Sequence, residues 1–137
     1  MSVTSDFIDA LEALTRAAVP AIPAGALGVS REWRAPTDLA TENFPHAILH
    51  APAERVTRFP YLQIRLELTE RIVILRSASD QATAISDFNA LRVGLEADPT
   101  LGGVVDFCEL VLDGIDDAGP ESPFRAVVVT AAAVVER

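Results

Sequence analysis

The chain has 137 residues, half of them hydrophobic, which suffices for one domain, 1–137, around a single core. No apolar run approaches the roughly 20 residues needed to cross a bilayer, and the start carries acids where a signal peptide carries bases, so a cytoplasmic protein off the membrane is expected. The formal net charge is −9 and all 11 basic residues are arginine, a balance that argues against a nucleic-acid grip, because such a grip uses cations to displace phosphate counterions.

Residues 6–18 read as a helix with an apolar stripe of Phe7, Ile8, Leu11, Leu14 and Ala18, capped by Ser5 and closed by Pro20. Residues 19–60 hold six of the nine prolines, at 20, 23, 36, 45, 52 and 60. Proline at this density removes backbone donors and confines strands to short edge pieces. Short strands are expected near 29–33 and 46–50, with loops at 34–44 and 51–59.

The longest strand signal covers 61–76. Leu62, Ile64, Leu66 and Leu68 alternate with Gln63, Arg65, Glu67 and Thr69, and the phase continues through Ile72 and Ile74. No turn interrupts it, so one long strand is predicted rather than a hairpin, buried at 72–75 where both faces are apolar and projecting at the other end. Next comes a helix of about 17 residues, roughly 25 Å long. Its predicted stripe is Ala82, Ile85, Phe88, Leu91 and Leu95, opposite a polar face that includes Asp87. Ser79 or Asp80 caps it, and Asp98 before Pro99 ends it. Gly102 and Gly103 turn the chain into a strand at 104–112. An acidic loop follows at 113–123, then a last strand at 124–135 with almost no polar face, as expected of a central strand covered on both sides. The sum is an α+β fold: a single mixed or antiparallel sheet of about four to five strands packed by two α-helices, with a long projecting strand.

Catalytic signals are sparse, and no enzyme is predicted. His46 and His50 share a strand face and Glu54 offers a third ligand, but Pro45 and Pro52 bracket the pair and the HExxH context of a helical zinc site is absent. Ordinary edge-strand histidines explain them better. Cys108 is the only cysteine, which excludes an intrachain disulfide or a cysteine-based zinc site. Beside Glu109 and without a base it reads as a core thiol. Gly102-Gly103 lacks the length and lysine of a phosphate loop, and no serine sits in a GxSxG elbow. Trp33 with Arg31 and Arg34 offers a cation–π patch or a loop anchor. Neither a cofactor nor a metal is expected. Residues 93–124 hold eight acids and no base, a pattern fitting either a solvated face or a surface that repels something negative.

The element order, together with Leu91, Leu95 and the stretch Glu96-Ala97-Asp98-Pro99-Thr100-Leu101-Gly102-Gly103, the acidic loop and the last strand, resembles the tail terminator family of long-tailed phages and related neck and minor tail proteins. The likeness runs over roughly 61–137. It implies a structural virion protein at the tail-to-head junction, assembled in a host cytoplasm. Such a protein forms a ring, typically a hexamer, that caps the tail tube, meets the tail tube protein and a head-completion or connector protein, and lets DNA through without specific binding. On that expectation Leu62, Ile64, Leu66 and Leu68 of the projecting strand and Val127, Val129, Ala131 and Ala133 of the last strand form subunit or partner contacts, while Asp113, Asp116 and Asp117 lie near the lumen or rim. The alternatives are another neck protein, such as a head–tail connector, or a small dimeric α+β ligand-binding or regulatory domain with a pocket around Trp33 and His46.

Overall fold

The computed structural model describes residues 2–33, 44–58, 64–77, 81–116 and 124–136. Helix α1 spans Val3–Ala18 and begins earlier than the sequence predicts, because the Ser2 hydroxyl, rather than Ser5, caps it by accepting from the Ser5 N–H. A 3-10 turn at Gly25–Leu27 leads to β1 (Val29–Ser30). The chain continues through β2 (His46–Arg58), β3 (Ile64–Ser77), α2 (Gln81–Ala97), β4 (Phe107–Asp116) and β5 (Phe124–Glu136). The sheet order is β1-β2-β3-β5-β4, with β1 parallel to β2 and every other pair antiparallel. An α+β fold results, with two α-helices and five strands among the described residues. β3 and β4 therefore run in the same direction with β5 inserted between them, and α2 makes the crossover, a split βαβ arrangement.

Both helices cover one face of the sheet. Phe7 and Leu11 of α1 and Ala84, Leu91 and Leu95 of α2 bury against Leu68, Ile72, Ile74, Val127, Val129, Ala131 and Ala133. Gly94 lets the helices approach closely, since a Cβ there would stand 2.8 Å from Leu14 Cδ1. On the opposite face Ile48, Val73, Leu75 and Ala126 form a smaller cluster with Phe44 and Val128 packed on it. The predicted buried end of β3, residues 72–75, is the part that is apolar on both sides.

Three expectations change. β2 does not stop at His50: a bulge between His50 and Ala53, with Ala51 at φ 60°, carries it through the expected loop to Arg58. The extra residue reverses the alternation, so His46, Ile48 and His50 lie on the face opposite the helices, and so do Ala53, Arg55 and Thr57 beyond the bulge. β4 starts three residues late and extends to Asp116, so Asp113 and Asp116 belong to a strand, with a second bulge between Leu112 and Gly114. Finally, α2 turns a different face inward: Ala84 and Asp87 are buried, whereas Ala82 and Ile85 are exposed. The Arg76 guanidinium bonds both Asp87 carboxylate oxygens, at 2.6 and 3.0 Å, and this bidentate pairing is what allows an acid on the buried face.

Candidate functional site

The two histidines are fixed by different neighbours. His46 is fully buried; its Nδ1 lies 2.9 Å from the Leu27 carbonyl, which only accepts, so Nδ1 carries the proton. Its Nε2 lies 2.8 Å from the Ser30 hydroxyl. The contact resembles half of a catalytic triad, but both side chains are buried and a backbone carbonyl occupies the place of the orienting carboxylate. It clips β1 and the preceding turn to β2. His50 meets Trp33, ring centroids 5.1 Å apart, and partial burial with the nearby Arg71 charge lowers its pKa. Glu54 is on the other face, accepting from Thr4 of α1 at 2.9 Å, so the bulge separates it from both histidines. Arg31 does not reach Trp33 as a cation–π partner; it pairs with Asp9 and Glu12 of α1, each at 2.9 Å. Arg34 lies outside the described residues. Among the described residues, no three His, Cys, Asp or Glu side chains gather where they could hold a metal ion, and no helix is long and apolar enough to cross a membrane.

Cys108 is 2% exposed on the core side of β4. Burial first, and the Glu109 charge second, push its thiol up to about 12. The native protein should therefore leave a thiol reagent such as DTNB essentially unreacted at pH 8 over minutes, and 6 M guanidinium should release one thiol per chain. Rapid labelling of the folded protein would refute this placement.

The turn after α2 is built from its own side chains. Asp98 Oδ1 accepts from the Thr100 hydroxyl at 2.8 Å and Oδ2 from the Gly102 N–H at 2.8 Å, while the Thr100 hydroxyl accepts from the Gly103 N–H at 3.1 Å. Leu101, Gly102 and Gly103 all have positive φ, of 52°, 72° and 88°, which explains two consecutive glycines. Because these N–H groups bond the chain's own oxygens, this turn is no phosphate cradle. The same donors hold the Asp98 carboxyl below its usual range, the Thr100 hydroxyl first among them.

Leu68, Val127, Val129, Ala131 and Ala133, expected at a subunit contact, are buried beneath the helices of their own subunit. They cannot face a neighbour while the fold is intact. Leu66 packs at the margin of that core and Ile64 is half-buried; Leu62 lies outside the described residues. The correction follows from strand parity: these residues alternate onto the face that the amphipathic helices cover. Of the three acids, Asp113 is exposed in the β4 bulge and accepts from the Thr130 hydroxyl. Asp116 ends β4, and Asp117 lies outside the described residues.

What the fold leaves open is the sheet's periphery. On the face away from the helices, Phe107 is 54% and Val111 50% exposed. Phe107 borders a shallow depression of about 230 Å³ with Glu67, Thr69, Glu109, Ala132 and Val134. β4 is the last strand of the sheet, and among the described residues β2 has no strand on its outer side beyond Ile48. Both edges thus present unpaired backbone groups. The sequence reading missed this surface because it placed a strand at 104–112 without assigning its faces; the alternation Phe107, Glu109, Val111, mixing apolar and acidic residues on one face, was the available signal. It also missed Glu70, which is in phase with Leu68 and Ile72 and only 1% exposed. No family model matches the chain, and no curated protein matches it.

Proposed function

We propose that this chain is a structural subunit that assembles with copies of itself into a ring, as the tail terminators it resembles do, closing a tail tube and joining it to the connector of a phage head or phage-like particle. The observation that carries the reading is the sheet's open periphery: among the described residues the outer edges of β4 and of β2 beyond Ile48 have no partner strand, the β4 edge bearing half-exposed Phe107 and Val111, on a domain whose core is otherwise closed by its own helices. An unpaired strand edge is a template for pairing with another chain, and the exposed apolar side chains on the β4 edge add surface that such pairing would cover. The buried Ser30–His46 clip and the inaccessible Cys108 thiol supply no exposed nucleophile, which favours an assembly role over chemistry. The acids of 93–124 suit a rim past which DNA moves without sticking, with Asp113, Asp116 and Asp117 placed there by the proposal.

Light scattering of the purified protein over a concentration series, with negative-stain images of the largest species, tests it. Rings of about six copies with a central hole are the expected result. A compact dimer with a co-purifying small molecule at every concentration would overturn the proposal in favour of a ligand-binding domain.

A further inference from the structure

The opposite edges of this sheet are matched to each other in strand direction and charge. β2 is antiparallel to β3, β3 to β5 and β5 to β4, so β2 and β4 run in opposite directions. A second copy placed beside the first in the same orientation, helices on the same side, therefore brings its β2 antiparallel to the first copy's β4. Nothing has to be inverted. The β2 edge beyond the bulge exposes Arg55 and Arg58 with Val56, which is 52% exposed, and among the described residues neither arginine has an ion-pair partner. Around the start of β4 stand the exposed acids Asp106, Glu109 and Asp113 with Phe107 and Val111.

We infer that copies of this chain join edge to edge, the acidic β4 of one pairing with the arginine-bearing distal half of β2 in the next. The inference rests on the ring reading above and names the surface that would build it. Side chains must match by face, and the faces are fixed: Ala53, Arg55 and Thr57 share the side of the sheet that carries Phe107, Glu109 and Val111. The antiparallel register that sets Arg55 opposite Glu109 also sets Arg58 opposite Asp106, Thr57 opposite Phe107 and Ala53 opposite Val111. Both charge pairs form in one register.

Charge also disfavours the two-fold β4–β4 rival: pairing β4 with β4 sets Glu109 and Asp113 against their own kind, and like charges opposite one another are destabilising. The β4–β2 contact is head to tail, which propagates and closes into a ring when the rotation permits.

Two sets of variants test the surface. Arg55→Glu, and separately Glu109→Arg, should raise the concentration for half-assembly at least about tenfold, because an opposite-charge pair becomes a like-charge pair. The two changes combined in one chain, or the two single variants mixed, should restore assembly. In addition, Ala53→Cys with Val111→Cys in one chain should give, on mild oxidation, a non-reducing ladder extending past the dimer, since directly opposed Cβ atoms stand within disulfide reach. Native Cys108 is buried and does not compete. Rings that persist in both single variants, or cross-links confined to dimers, would overturn this surface while leaving a ring protein. Wild-type protein that forms no ring at any concentration would instead remove the reading beneath it.

Discussion

Replacing Asp87 by alanine is expected to lower the unfolding free energy by about 3 kcal/mol, the low end of the range for breaking a buried ion pair. The Arg76 side chain is 18% exposed and that of Asp87 6%, so water solvates the orphaned guanidinium only in part. The loss is larger than for an exposed pair such as Arg92–Glu96 on the same helix, whose side chains are 52% and 64% exposed and whose removal should cost less than about 1 kcal/mol. Urea midpoints with an unchanged slope will measure both. A change below about 1 kcal/mol for Asp87→Ala would mean that the pair is solvated rather than buried. Replacing both partners by apolar residues of similar size, Arg76→Met with Asp87→Leu, should recover most of the loss, because the penalty lies in the unpaired charge and not in the absence of a bridge.

Stability should also fall as the pH rises through neutrality, and Glu70→Gln should abolish that fall. Glu70 is seated on the helix-covered face, where burial raises its pKa to about 7, an effect only partly offset by the Arg71 N–H at 3.0 Å and by the Arg31 charge. The unfolded chain titrates this carboxyl near 4.5. The folded state therefore holds the proton more tightly. Its contribution is fully present below about 4.5 and is lost as pH rises through about 7. A shift of this size is worth roughly 3 kcal/mol. Denaturation curves from pH 5 to 8 should show a decline in the wild type that the glutamine variant lacks, the variant being the more stable of the two at pH 8; the lowered pKa of His50 acts in the opposite sense in both proteins, adding stability as pH rises. Parallel curves for the two proteins would refute the protonation of Glu70. Asp98 works in the opposite sense: its lowered pKa contributes stability that disappears only in acid, as pH falls below the ordinary carboxylate range near 3.8. The two effects are separated by pH window.

These two acids also mark the limit of what could be read from residues alone. The period-2 alternation of β3 and the two apolar helical stripes gave the fold class, because patterns of burial are written directly into side-chain type. Glu70 and Asp87 occupy positions that fit the buried phase, but a rule that sends charges to the surface assigned Asp87 to the outer face and shifted the predicted stripe of α2 toward Ala82 and Ile85. The partner that makes the difference, Arg76, is eleven residues away and invisible to a local pattern. The extent of β2 was hidden by a similar non-local cause. Ala51 at positive φ and Pro52 look like a loop, and only pairing with β3 on the far side makes them a bulge. The proposed surface was obscured because long apolar strands suggest contacts with neighbours, while parity consigns their side chains to the domain's own core and leaves the edges free.

The strand order has a temporal meaning as well. β5 is synthesised after β4, yet it lies inside it, between β4 and β3, and its pairing with β3 joins residues as distant as Arg65 and Glu136. Until β5 has left the ribosome, the hairpin of β2 and β3 and the strand β4 have no common partner, and the helices have only part of a sheet to cover. The centre of the sheet therefore forms only once β5 is available and long loops are closed, and pairing so distant in sequence slows folding. Until then the edges of β3 and β4 that β5 will cover stay open, and the exposed acids of β4 disfavour its pairing with the β4 of another nascent chain.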